Sequence, residues 1–389
     1  MFKILTLNKI SPAGLREFPL ELYEVSSEAL HPDAIIVRSY DLHQMKLPES
    51  LKAIARAGVG VNNIPVEKCT EKGIVVFNTP GANANSVKEL VLAGLFLSSR
   101  KIIQGINWAK TLIGKGDEVP MLIEKNKSKF AGPEIKGKKL GVIGLGAVGV
   151  AVANDALALG MEVTGYDPFI SVESAWHLSK EIKRATGFEA LISNSDYISL
   201  HIPLTDETRG IIDASKFSIM KKGVRILNFA RGGLVKNEDL IKAIRDGIVS
   251  CYVTDFPDEE LLRIDEVIAI PHLGASTPEA EENCAIMAVR QLREFLEHGN
   301  ITNSVNFPSC YMDFTGKTRL LVANRNIPHM VERIASILAE NGINIADMLN
   351  RSRGEVAYNI IDVDGNITDD IVDKINEQGG ILKVRVIQN

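Results

Sequence analysis

Hydrophobic positions in the opening ninety residues come in short, solid runs. FKILTL, DAIIVRS, LKAIARAGVG and GIVVFNTP each place aliphatic or β-branched residues on consecutive positions and end in polar residues or glycine. A strand with one face in water alternates apolar and polar. A solid run is the pattern of a strand buried on both faces, as in a parallel sheet. With helical stretches between the runs, residues 1–90 predict an α/β layer. Residues 86–113 predict a long helix, with Ser86 and Glu89 spaced as a capping box. Its VLAGLFL core is apolar nearly all round, which predicts burial at a domain junction or subunit interface. Residues 114–136 are polar and predict a surface excursion; the stretch 114–129 fits no motif.

The pattern then resumes with KLGVIGLGAVG, a strand, a glycine turn and the start of a helix. EVTGYD, YISLHIP, RILNFAR and VIAIPH follow as further strands separated by helices, a doubly wound arrangement. A helix from Pro278 to about His298 has Ser276 or Thr277 as cap and Gly299 as stop. After it, ITNSVNFPSC returns toward the first layer. From Lys317 the order is strand, helix, two strands joined by SRG, helix, strand, which is the βαββαβ order of a ferredoxin-like unit. The expected fold class is therefore α/β with three parts. Residues 1–92 and 285–308 are expected to form a discontinuous flavodoxin-like domain. Residues 93–284 form a Rossmann-type domain, and residues 317–389 the ferredoxin-like unit.

Composition removes several classes. Apolar residues are 45% and charged residues 24% of the chain, an ordinary globular mixture. With 44 basic and 49 acidic residues the formal charge is −5, so nothing favours nucleic acid. Cys69, Cys251, Cys284 and Cys310 form no CxxC pair, which argues against a disulfide framework or a zinc site, and no metal is expected. The N-terminus has no signal-peptide pattern, and no apolar run reaches the roughly 18 residues that span a bilayer. A soluble, cytoplasmic protein is expected, with no membrane partner.

The chemistry concentrates in two places. Gly144, Gly146 and Gly149 form G-x-G-x-x-G between a strand and a helix, with Asp167 at the end of the next strand. The first glycine permits a tight turn, the second lets a pyrophosphate approach the backbone, and the third lets helix and strand pack closely. A carboxylate at Asp167 accepts ribose hydroxyls and repels a 2′-phosphate, so the expected cofactor is NAD. Farther on, Arg231 follows the strand RILNFA and His272 follows VIAIP. Strand ends in such a fold face the ligand crevice. An arginine fork suits a carboxylate, and a histidine moves a proton near neutral pH. TDFPDEE, between them, supplies acids to orient the histidine.

NFARGGLV and PHLGAST, behind GLGAVG and YDP, resemble the D-isomer-specific 2-hydroxyacid dehydrogenases, and RAGVGVNNI and FNTPGANANSVKE agree. The C-terminal βαββαβ unit resembles an ACT regulatory domain. The resemblance implies Arg231, Glu260 and His272 as the catalytic set, with Glu259 as the alternative because DFPDEE departs from the usual DVFxxEP. It implies NAD contacts at Ala147, Val148, Ile202, Phe229, Ala230, Asp255, Leu273 and Gly274 as well as the loop glycines, Asp167 and His272. It puts substrate at Arg38, Ser39, Val59, Gly60 and Arg231; Asn62 stands where many relatives have aspartate. It implies an amino-acid effector, serine, at Asn324, Asn326 and Asn344, and a homo-oligomer, dimer or tetramer. A phosphorylated 2-hydroxy acid is the expected substrate, with Arg38 as first cation for its phosphate. The catalytic set leaves open another 2-hydroxy acid of the glyoxylate, lactate or 2-oxoglutarate type. A dinucleotide-sensing scaffold is the non-enzyme alternative, against which an intact Arg231, Glu260 and His272 argue.

Overall fold

A computed structural model describes residues 1–314 and 318–388; the first and last residues of the expected C-terminal unit, Lys317 and Asn389, lie outside the described residues. The chain forms two compact units. One is Ala84–Thr277. The other joins Met1–Asn83 to the chain from Pro278 onward. The divisions fall at 83/84 and 277/278 for a mechanical reason. Ala84–Arg100 and Pro278–His298 are continuous helices, so the units part where those helices begin.

In the first unit, five parallel strands lie in the order Tyr23–Ser26, Phe2–Leu7, Ala34–Val37, Ala53–Arg56, Val75–Phe77. Ala34–Val37 is buried along its whole length, as its solid apolar run requires. ITNSVNFPSC does return to this sheet: Val305 N–H donates to the Val76 carbonyl (2.9 Å), and Asn306 Oδ1 accepts the Val76 N–H (2.9 Å). The C-terminal part is a four-stranded antiparallel sheet ordered Ile345–Arg353, Val356–Val363, Thr318–Arg325, Ile381–Gln388. This is the βαββαβ topology. Helices Met330–Glu340 and Asp369–Asn376 cover one face through Ile334, Leu338, Ile371 and Ile375. The other face contributes Leu321, Ala323, Tyr358 and Ile360 to the same core as Phe77, Leu292 and Phe295.

Two arginines of that sheet serve the C-terminal end of helix Pro278–His298. Arg319, fully buried, pairs with Asp362 (2.6 and 2.9 Å) and donates to the carbonyls of His298, Met312 and Asp313. Arg385 donates to the Phe295 and Leu296 carbonyls (3.3 and 3.0 Å) and lies over the Phe295 ring. Last-turn carbonyls have no partner within a helix and carry partial negative charge, so cations stabilise them.

The second unit is a seven-stranded parallel sheet. Its order is Val267–Ala269, Val249–Thr254, Val224–Asn228, Tyr197–Leu200, Lys139–Ile143, Glu162–Tyr166, Lys183–Arg184. The direction of winding reverses between Lys139–Ile143 and Tyr197–Leu200, which opens a crevice at their C-terminal ends. The expected helix 86–113 is two helices, Ala84–Arg100 and Ile102–Lys110, broken at Lys101, whose φ of 45° is left-handed. The capping box does not form, because Ser86 lies inside the helix. Its hydroxyl donates to the Gly274 carbonyl (2.7 Å), while Glu89 accepts from Asn85 (2.8 Å). The excursion after 114 contains helix Val119–Asn126 between two 3-10 turns, none with a buried residue.

Candidate active site

The three glycines of the 144–149 loop do different things. Gly144 has φ +90°, and a side chain there would strike the His201 carbonyl. At Gly149 a Cβ would collide with the Gly144 carbonyl oxygen, so only glycine lets the helix start so close to the strand. At Gly146 a Cβ would meet nothing within 4 Å. Helix Ala147–Ala158 begins there, with Gly146 as N-cap and no side chain accepting from its first turn. The N–H groups of Ala147 and Val148 belong to that first turn and are open to an anion. A cavity of about 1020 Å³ lies over this loop and is lined by Gly144, Gly146, Asp167 and Ile202, with Phe169 and Phe188 among its apolar walls. Asp167 holds the loop: one carboxylate oxygen accepts the Leu145 N–H and the other the Phe169 N–H, both at 2.8 Å. His201, also on the cavity wall, has Nε2 2.8 Å from the Ser199 hydroxyl. Burial pulls its pKa down to about 4, so it is neutral at physiological pH. The arrangement suits the pyrophosphate and adenosine of a dinucleotide.

Three adjacent strands of the same sheet carry the other candidates. Arg231 follows Val224–Asn228, Asp255 follows Val249–Thr254, and His272 follows Val267–Ala269. Asn228, buried at 1% exposure, was not singled out from sequence, yet it builds the Arg231 turn. It donates to the Arg231 carbonyl (2.8 Å), and its Oδ1 accepts from the Ala230 and Arg231 N–H groups. Phe229 is buried and Ala230 half-buried in this turn, and the Arg231 guanidinium stands exposed. Asp255 is buried and accepts the N–H groups of Leu273 (2.7 Å) and Gly274 (2.8 Å), tying the His272 loop to its strand. Burial raises its carboxyl pKa, opposed by those two N–H groups and by His272. His272 adopts φ 54° and packs against Phe256, with ring centroids 4.8 Å apart and planes tilted by 55°.

The structure does not bring the glutamates to the histidine. Glu260 is exposed at the start of the 3-10 turn Leu261–Arg263, Glu259 pairs with Arg263, and neither hydrogen-bonds His272. The loop is drawn away by Asp258, which bonds Asn237 and accepts the Leu261 N–H (3.0 Å).

In the first unit, Arg38, Ser39, Val59 and Gly60 lie on two loops after neighbouring strands. Asn8 Oδ1 accepts the Ser39 N–H (3.0 Å), and Asn78 donates to the Val59 carbonyl (2.6 Å). Arg38 is paired with Glu281 (2.6 Å). A second cation, Arg56, was missed: it donates to the Arg38 carbonyl (2.9 Å) and packs against Gly58. Its position inside a strand run disguised it as an interruption of the apolar pattern.

The three C-terminal asparagines all have internal partners. Asn324 is buried and joins Asn359 (2.7 Å) and the Arg325 carbonyl; Asn326 donates to Gly354 and Asn344 to Asp364. Among the described residues no group of three His, Cys, Asp or Glu side chains is placed to hold a metal, and no helix is long and apolar enough to cross a membrane.

The chain is similar to known proteins along most of its length. Residues 93–274 match the family described as D-isomer specific 2-hydroxyacid dehydrogenase, NAD binding domain. The D-3-phosphoglycerate dehydrogenase of Dictyostelium discoideum is 30% identical, with 99% of this chain and 97% of that protein aligned. The chain therefore belongs to the D-isomer specific 2-hydroxyacid dehydrogenase family. The D-3-phosphoglycerate dehydrogenase of Archaeoglobus fulgidus is 38% identical over 74% of this chain. The chain spans 54% of that protein, about half its length. Among solved structures, the NAD+-bound 3-phosphoglycerate dehydrogenase of Entamoeba histolytica superposes with a TM-score of 0.61 at 30% identity, over 78% of this chain and 98% of that one.

Proposed function

We propose that this protein is an NAD-dependent dehydrogenase that oxidises D-3-phosphoglycerate to 3-phosphohydroxypyruvate, the first step toward L-serine. The observation that carries the reading is the cavity over the glycine loop, on the same sheet as the Arg231 and His272 strand ends. The phosphoglycerate dehydrogenases to which the chain is similar along most of its length support it. Gly144, Gly146, Gly149, the Ala147 and Val148 amides, Asp167 and Ile202 hold the cofactor. Phe229, Ala230, Asp255, Leu273 and Gly274 shape the nicotinamide end. A nicotinamide held there would supply the hydride acceptor.

His272 takes the proton of the C2 hydroxyl. Arg231 binds the C1 carboxylate through its fork and steadies the forming carbonyl oxygen. Glu260 reaches His272 only if its loop moves, and then stabilises the imidazolium; Glu259 is the alternative on the same turn. Arg38, freed from Glu281, and Arg56 supply charge for the 3-phosphate, beside Ser39, Val59 and Gly60. In this reading the domains are the substrate layer (1–92 with 285–308), the NAD layer (93–284) and an ACT-type unit (317–389). The ACT-type unit senses serine near Asn324, Asn326 and Asn344. A homo-oligomer working in the cytoplasm completes the proposal.

The deciding experiment follows NADH at 340 nm with 3-phosphoglycerate and with unphosphorylated glycerate. Phosphoglycerate is expected to give the higher kcat/KM by about tenfold or more, since one well-made charge-assisted contact exceeds 1.4 kcal/mol. Equal values would overturn the substrate, and no NADH from any 2-hydroxy acid would overturn the activity.

A further inference from the structure

Helix Pro278–His298 carries a side chain that its packing does not explain. Gln291 is only 5% exposed, and neither its amide nitrogen nor its carbonyl oxygen has a hydrogen-bond partner. A buried amide left unpaired bears the full desolvation cost of both groups. Gln291 borders a cavity of about 600 Å³ within the first unit, inside the usual size range of small-molecule sites. Arg290 and Glu294, on the same helix, line the cavity too, with the hydroxyls of Thr302 and Tyr311 and the apolar wall of Met287. Arg290 uses Nε and one terminal nitrogen on Glu17 (3.1 and 3.3 Å), and Glu294 gives one oxygen to Asn300 (2.7 Å). Arg290 keeps its other terminal nitrogen, and the second Glu294 oxygen lies 3.4 Å from His298 Nδ1, a long contact that leaves it able to accept a further donor.

We propose that this cavity binds a small zwitterion of the α-amino-acid class. Gln291 lacks both a donor and an acceptor, so a bare anion would satisfy only its nitrogen and a bare amine only its oxygen. A zwitterion supplies both. Its carboxylate accepts from Gln291 Nε2 and Arg290, and its ammonium donates to Gln291 Oε1 and Glu294. A small polar side chain then meets Thr302 and Tyr311. This site is separate from the cavity over the glycine loop and from Asn324, Asn326 and Asn344, and it stands whichever hydroxy acid is the substrate.

Calorimetric titration of the full chain with L-serine, acetate and methylamine tests it. L-serine is expected to bind, and each half-probe to bind at least about tenfold more weakly. Gln291→Met should weaken L-serine about tenfold or more while leaving the melting temperature unchanged or higher, because it removes an unpaired polar group at nearly constant volume. Asn324→Ala should leave this binding in place. The proposal is overturned by no heat from the wild-type protein, which means a cavity holding only water, or by a Gln291→Met variant that binds L-serine as well as wild type. It is overturned equally if amide-exchange protection of residues 283–294 rises with protein concentration, which would mean that a second copy fills the cavity.

Discussion

His272 holds φ 54°, a left-handed conformation uncommon for any residue with a β-carbon, though less so for asparagine, aspartate and histidine. Loops that keep such strain are held in place by their surroundings, here the Asp255 carboxylate on the next two N–H groups. The proton-transfer role is best tested with His272→Asn, since asparagine keeps the backbone at ease and loses only the chemistry. Turnover should fall by about 10²–10⁴-fold with the melting temperature nearly unchanged; retention of most turnover would remove His272 from the mechanism. Arg231→Lys should raise KM more than it lowers kcat, because an ammonium cannot reproduce the planar fork. His201 makes a pH prediction. Its folded pKa is lowered from 6.5 to about 4, so between those values the unfolded chain binds the extra proton. Stability should therefore fall as pH drops from about 6.5 to about 4. The loss is at most about 3 kcal/mol, and less if solvent in the cavity screens the ring. Urea unfolding at both ends of that window, with His201→Asn as control, checks the sign.

At the scale of elements, the glycine loop separates packing from binding. Gly149→Ala puts a methyl group into the Gly144 carbonyl and should unfold or severely destabilise the Ala84–Thr277 unit. Gly146→Ala meets no neighbour, so the protein should melt normally. It should nevertheless bind NAD about tenfold or more weakly, because the methyl occupies the approach of the pyrophosphate. Equal NAD affinity in Gly146→Ala would place the phosphates elsewhere. Solid apolar runs made Phe2–Leu7, Ala34–Val37, Tyr197–Leu200 and Val224–Asn228 legible from sequence. Tyr23–Ser26 and Val249–Thr254 were not, since one is a short edge strand with a charged residue in it and the other is interrupted by Ser250. The break at Lys101 was also hidden, because no glycine or proline marks it.

Across the molecule, the ferredoxin-like sheet shares one compact unit with the five-stranded sheet, and each of its faces contributes buried residues to a core. The Arg319–Asp362 pair sits at that junction with both side chains inaccessible. Asp362→Asn would leave a buried guanidinium without its countercharge and should lower stability by about 3–5 kcal/mol. A melting temperature within a degree of wild type would mean that the His298, Met312 and Asp313 carbonyls alone satisfy Arg319.

The sequence by itself determined most of the element order, the dinucleotide loop and the strand-end positions of Arg231 and His272. Local rules govern these: periodicity, the steric freedom of glycine, and the polarity of a strand end in a parallel sheet. Only the tertiary structure decided that Asn228 builds the arginine turn, that Asp255 ties down the histidine loop, that Glu260 stands apart from His272, and that Gln291 lies buried without a partner. Each depends on which residues distant in sequence arrive beside it, and neither spacing nor composition carries that information.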